Sequence, residues 1–204
     1  MKTNQQKYIA YAEAFARIRN CHIWLGGSFL HDTSTPYSDV DISVLCKEDV
    51  LRELIYGYGE PIYISSTTNP PGILIVIYED GVALDLEVLE SVDACSEGFF
   101  HRERIKEHKY TRNETVCQKF ALRSDSAYQM ARLFHRSLIK FLAGKRDLGV
   151  SVANEIAEYL HTDTIIEEES YATDFVLLWK EYNEQYPIPS AYCQEVNKLI
   201  SNLT

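Results

Sequence analysis

LGGSFLHDTSTPYSDVDISVL, running from Leu25 to Leu45, is the stretch from which the fold of this chain is read. The apolar run Cys21 to Leu25 enters it as a strand and breaks at the turn Gly26-Gly27-Ser28; a second apolar run, Ile42 to Leu45, opens behind Ser38-Asp39-Val40-Asp41. Side chains alternate along a strand, so Asp39 and Asp41 are expected on one face with Cα atoms about 6.5 Å apart. At an effective dielectric near 20, two such charges repel by roughly 2 to 3 kcal/mol, and a cation is expected between them. Mg²⁺ suits the pair, because it takes oxygen ligands and commonly uses one or two carboxylates together with substrate phosphates. The turn supplies the complement: glycine lets backbone approach a ligand closely, and N–H groups exposed at a turn bind phosphate without a basic side chain.

A third acid follows downstream. Ile73 to Tyr78 and Val82 to Leu89 flank Glu79-Asp80-Gly81, a hairpin signal, and the second run alternates so that Asp85 and Glu87 share a face. If this strand lies beside the Asp39/Asp41 strand, Asp85 completes a cluster of three carboxylates, which suits two metal ions and an in-line displacement at phosphorus. Glu87 is expected to support the cluster from the same face rather than to bind metal. His22, next to Trp24 in the first strand, is expected to be a satisfied core histidine.

Taken together, Gly27-Ser28, Ser38-Asp39-Val40-Asp41 and Asp85 resemble the nucleotidyltransferase superfamily of DNA polymerase beta, especially its small members that adenylylate aminoglycoside and lincosamide antibiotics. The resemblance covers Ile23 to Leu89. It implies that Asp39, Asp41 and Asp85 are the catalytic acids and metal ligands, with two Mg²⁺ ions, and that Gly27, Ser28 and Ser38 contact a nucleoside triphosphate, ATP foremost. The implied reaction moves a nucleoside monophosphate onto a hydroxyl of a small molecule and releases pyrophosphate, with antibiotic resistance as the implied role. Asp32 stands where such proteins often carry glycine, and Asp tolerates the left-handed backbone better than most residues. The alternative from another class is a nucleotidyltransferase-like antitoxin, or a protein-modifying or non-catalytic binding partner; the long helical extension favours an enzyme with its own acceptor pocket.

Composition narrows the partners. The chain has 204 residues, 46% of them hydrophobic, and a net charge of −10, which disfavours a duplex nucleic acid partner and favours cationic small substrates. Five cysteines are scattered without metal-ligand spacing, as expected of reduced thiols in a cytoplasmic protein. No apolar run approaches 18 residues and MKTNQQKYIAYAEAF lacks the apolar core of a signal peptide, so no membrane association is expected. A monomer or homodimer is expected.

The periodicities define an α+β fold: a small mixed β-sheet nucleotidyltransferase domain flanked by helices over residues 1–92, then a C-terminal helical bundle, the acceptor-binding domain, over residues 93–204. The first domain starts with a helix from Asn4 to Arg19 and has another from Lys47 to Tyr56, a strand over Pro61 to Ser65, and a loop at Asn69-Pro70-Pro71-Gly72. Beyond Leu89 strand signals nearly vanish, and the remainder is expected to be helical. There, Ser124 or Asp125 caps a helix whose apolar stripe includes Phe134 and Leu138, and Gly144 ends it. Arg132, Arg136 and Lys140 form a basic stripe on that helix. Further helices are expected over Val150 to Leu160, Tyr171 to Tyr186, and after Pro189.

Overall fold

The structure, a computed structural model, describes residues 3–93 and 98–203. Cys95 and the part of the expected domain boundary after Asp93 lie outside the described residues. Thr3 starts helix α1 (Asn4–Arg19) with a capping box: its hydroxyl accepts from the Gln6 N–H at 3.2 Å, and the Gln6 side-chain oxygen accepts from the Thr3 N–H at 3.1 Å. Asn20, in left-handed conformation at φ 53°, closes the helix. The chain continues through β1 (His22–Leu25), α2 (Gly27–Leu30), β2 (Val40–Leu45), α3 (Glu48–Tyr56), β3 (Pro61–Thr68), β4 (Pro71–Tyr78), β5 (Ala83–Val92), β6 (Phe100–His101), β7 (Tyr110–Arg112) and α4 (Glu114–Phe120).

These strands form one mixed sheet in the order β3-β4-β5-β2-β1-β6, with β7 paired to β5. Strands β2 and β5 are parallel, as are β1 and β6, and the remaining pairs are antiparallel. Period-two alternation gives the sheet two unlike faces. Ile23 and Leu25, Ile42 and Val44, and Leu84, Leu86 and Val88 pack in one core cluster with Tyr8 and Ala12 of α1, Leu51 and Leu54 of α3, and Phe120 of α4. Each such side chain contributes about 1.5 to 3 kcal/mol when fully buried, so this face anchors the sheet. The alternate positions, Asp41 and Ser43, Asp85 and Glu87, are left to the other face.

Several expectations need correction. Asn69 to Gly72 is not an open loop but the tight connection of a hairpin, since β3 runs on to Thr68 and β4 begins at Pro71. The chain beyond Leu89 is not wholly helical: β5 reaches Val92, and β6 and β7 follow it. Two- and three-residue strands show no measurable period, and their edge pairing is set by the sheet they join rather than by their own pattern. The chain accordingly divides into compact units at Ser124/Asp125, not after residue 92, with Thr35–Tyr37 grouped with the second unit.

The second unit consists of α5 (Ser126–Leu142), α6 (Arg146–Tyr159), α7 (Tyr171–Gln185) and α8 (Ser190–Ile200). Asp125 caps α5 through its side chain, which accepts from the Tyr128 N–H at 3.0 Å, and Gly144 follows the helix with φ +82°. Phe134, Phe175, Trp179 and Tyr182 make the aromatic centre of the bundle. Arg132, Arg136 and Lys140 are half-buried rather than an open face. Helices α5 and α6 meet closely at Gly149, where a Cβ would lie 2.7 Å from the Phe141 Cβ and 2.9 Å from its backbone nitrogen. Gly149→Ala is therefore expected to destabilise this unit by about 1 to 3 kcal/mol, the range for overpacking, read as a lower midpoint in urea unfolding followed by tryptophan fluorescence.

Cys21, Cys46, Cys117 and Cys193 are free thiols. Burial pushes the Cys21 thiol up to about 11 and those of Cys46 and Cys117 up to about 12, which makes these sites poor nucleophiles. No helix among the described residues is long and apolar enough to cross a membrane.

Candidate active site

Strand register builds the site. Asp41 stands opposite Asp85, and two residues on, Ser43 stands opposite Glu87. On its other side β2 pairs with β1, where Trp24 faces Ser43 and Leu25 faces Ile42. Neighbouring strands lie about 4.8 Å apart, so backbone pairing places Asp41 and Asp85 side by side on one face of the sheet. The glycine turn abuts them. Gly26 donates its N–H to the Asp41 carbonyl at 2.8 Å. Gly27 has φ +59°, and a Cβ on it would lie 1.7 Å from Asp41 Oδ2. Gly27 is thus required twice, by its left-handed backbone and by the carboxylate packed on it.

Ser28 sits half-buried in the single turn of α2, and Asp32 has φ 54°, the left-handed backbone expected of it in the place of a glycine. Ser38 is half-buried and Asp39 is 8% exposed, one residue ahead of β2. Alternation relates Asp39 to Asp41 only where both belong to a strand, and β2 begins at Val40. Asp41 and Asp85 line the cleft, and Asp39 precedes the strand and is not among the lining residues. No group of three or more His, Cys, Asp or Glu side chains among the described residues is arranged to hold a metal ion.

The cleft has a volume of 310 Å³ and extends from Trp24, Gly26 and Gly27 across Asp41 and Asp85 to Glu87, Tyr110 and Arg112, with Ile73, Ile105 and Lys106 also lining it. All of these residues belong to the first unit. Residues 11–114, just over half of the chain, match the family model described as the nucleotidyltransferase domain. The chain belongs to this family. No curated protein and no solved structure matches it. The match contains the glycine turn, both cleft carboxylates and β7, and reaches beyond the Ile23 to Leu89 stretch that carries the resemblance. It brings nucleotidyl transfer as the general chemistry of the fold.

A divalent cation fits this nucleotidyltransferase domain on the donor set it presents. Mg²⁺ takes one or two carboxylates and completes its shell with water and substrate phosphates, and Asp41 and Asp85 would be the residues to hold it. The cradle at Gly27, which any side chain would fill, keeps backbone within reach of a phosphate beside that pair.

Glu87 holds the sheet face together. It accepts from Ser43 Oγ at 2.6 Å, from Arg112 Nε at 2.5 Å and from the Tyr110 hydroxyl at 3.2 Å. A carboxylate with three donors and 12% side-chain exposure is committed to structure, in agreement with the supporting role expected of it. Burial, reinforced by the Glu87 carboxylate, pushes the Tyr110 phenol up, so Tyr110 stays a hydrogen-bond donor.

Lys106, Tyr110 and Arg112 were not legible as site residues. The only signal is the alternation in Tyr110-Thr111-Arg112, and three residues are too few to assign a strand or its register.

Behind the cleft, His101 of β6 stacks on Trp24 with ring centroids 4.5 Å apart and planes at 16°, and its Nε2 lies 3.0 Å from His22 Nδ1. His22 is thus satisfied, though half-buried rather than in the core. The Trp24 indole N–H is buried with no hydrogen-bond partner among the described residues. Burial, and next the neighbouring His22, hold the His101 pKa below its usual 6.5. The unfolded chain consequently takes up this proton more readily than the folded one, so stability present above pH 6.5 is lost as pH falls through the lower folded value. His101→Gln is expected to flatten the fall of Tm below pH 6.5, measured by calorimetry; an unchanged profile would assign that fall to other groups.

Proposed function

We propose that this nucleotidyltransferase domain is a metal-dependent enzyme that moves a nucleoside monophosphate, AMP from ATP, onto a hydroxyl of a small molecule. The observation that carries the reading is the contact of Gly27 with Asp41 beside Asp85: a left-handed glycine turn packed on one of two facing aspartates with no room for a side chain between them.

In this reading Gly27 and Ser28 receive the triphosphate, using the N–H groups that the first turn of a helix leaves without helical partners. Ser38 is assigned to the nucleotide, and Asp39 to the metal, on the family resemblance alone. Asp41 and Asp85 hold the divalent cation, which when bound offsets phosphate charge and acidifies the acceptor hydroxyl. Asp85 receives the proton of that hydroxyl; the hydroxyl oxygen bonds to the α-phosphorus while the bond from the α-phosphorus to the bridging oxygen breaks, and pyrophosphate leaves. Holding the reactants in line can remove roughly 7 to 11 kcal/mol of the barrier. Asp85 is preferred to Glu87 as the base because the donors Ser43, Tyr110 and Arg112 stabilise the Glu87 carboxylate in its charged form.

The test is incubation with Mg²⁺, each α-labelled nucleoside triphosphate, and a panel of hydroxyl acceptors that includes aminoglycosides and lincosamides, the acceptors implied by the resemblance. Label transfer with pyrophosphate release is expected. Absence of turnover together with absence of Mg²⁺-nucleotide binding would overturn the reading.

A further inference from the structure

The cleft holds two cations that the transfer reaction as proposed does not use. Lys106 is exposed, and among the described residues its ammonium has no ion-pair or hydrogen-bond partner, although it lines the same cleft as Asp41 and Asp85. Arg112 spends Nε on Glu87 and lies with its guanidinium carbon 5.8 Å from the Tyr110 ring centre. A guanidinium has five N–H donors in a planar fork, more than these contacts occupy. The position of Arg112 is built in: Gly72 has φ +82°, and a Cβ there would lie 2.5 Å from the Arg112 Cβ, so the bare backbone at the start of β4 makes room for this side chain.

Sheet order places Arg112 on a definite side, and Lys106 lies four residues before β7 in the chain. From the glycine turn the order is β1, β2 with Asp41 and β5 with Asp85, and β7 with Arg112 pairs with the far end of β5 at Leu89 to Val92. In an in-line displacement the attacking and leaving oxygens lie on opposite sides of the phosphorus. A triphosphate seated on the glycine turn directs pyrophosphate toward β1, which leaves the β7 side to the acceptor.

We propose that Arg112 and Lys106 form an anion subsite for the acceptor, and that the acceptor is a small hydroxyl compound carrying a phosphate or carboxylate group. The proposal rests on the transferase reading above. It runs against the expectation of a cationic acceptor drawn from the net charge of −10. That expectation averages over the whole surface, whereas exposed charges beyond about 8 Å are largely screened at physiological salt, so the charges lining the cleft decide.

The experiment uses the full chain with Mg²⁺ and a non-hydrolysable ATP analogue in the nucleotide site, titrated calorimetrically with glycerol phosphate and with glycerol. Glycerol phosphate is expected to bind and glycerol not to. Lys106→Gln, an exposed change that leaves the fold alone, and Arg112→Lys, which keeps a charge beside Glu87 but loses the fork, are each expected to weaken glycerol phosphate by about 10- to 100-fold, the range for hydrogen bonds to charged groups, with the analogue's affinity kept. Equal binding of the two ligands would overturn the subsite. Variants that weaken the nucleotide analogue instead would overturn the acceptor assignment and give both cations to the triphosphate. Glycerol phosphate binding by a wild-type protein that binds no nucleotide would sink the transferase reading, and with it the acceptor assignment, while sparing the subsite itself.

Discussion

Gly27→Ala is expected to abolish Mg²⁺-dependent nucleotide binding while leaving the fold intact. The new methyl group would lie 1.7 Å from Asp41 Oδ2 and 2.5 Å from its Cγ, and the atom that can yield is the end of the Asp41 side chain. The carboxylate therefore swings out of the cleft. Left-handed backbone on a residue with a Cβ costs about 1 to 2 kcal/mol, which lowers Tm by several degrees without unfolding the protein. Displacement of a reacting or ligating group by about 1 Å costs roughly 10²-fold, so nucleotide affinity and turnover fall by at least that much. Calorimetric titration with Mg²⁺-ATP, alongside circular dichroism, separates the two effects. Retained affinity would show that the triphosphate does not use this turn.

Asp41→Asn and Asp85→Asn are expected to act in opposite directions on activity and on stability. Each removes one carboxylate of the metal-holding pair, and loss of about 10³-fold in turnover is expected, the scale for removing one electrostatic contact to a transition state. Without metal, however, the pair sets two like charges at facing positions of adjacent strands, an arrangement that disfavours the folded state. The metal-free variants should then melt no lower than the wild type, and Mg²⁺ should no longer raise their Tm. The double variant should lose little more activity than either single one, because residues that act as a unit are not additive. The same substitution at Asp39 measures whether that acid, buried ahead of β2, belongs to the metal site or supports it. A Tm that drops sharply in Asp85→Asn would assign Asp85 to structure and remove it from the reaction.

How much of this was readable before folding varies residue by residue. Asp41 and Asp85 were legible because each lies in an alternating run long enough to define a face, and both faces follow from the period of two. Gly27 was legible as a turn, and Asp32 as a left-handed position, because those backbone conformations are local properties. Helix α1 and the capped start of α5 were legible for the same reason: capping residues and apolar spacing lie within a few positions of one another.

Asp39 shows the limit. Its separation from Asp41 suits a strand, but strand β2 starts after it, and where a strand starts is set by its neighbours. Arg112 shows a deeper one. It enters the cleft because three residues at 110–112 pair with the end of β5 and because Gly72, forty residues earlier, leaves room for it. The sequence by itself determined the family, the α+β class, the glycine turn and the two alternating strands that carry Asp41 and Asp85. Only the tertiary structure decided which acids meet, that Glu87 is bound to Ser43, Tyr110 and Arg112, and that Lys106 and Arg112 line the cleft. Local patterns record conformation over a few residues, whereas pairing between distant strands is a property of the assembled sheet.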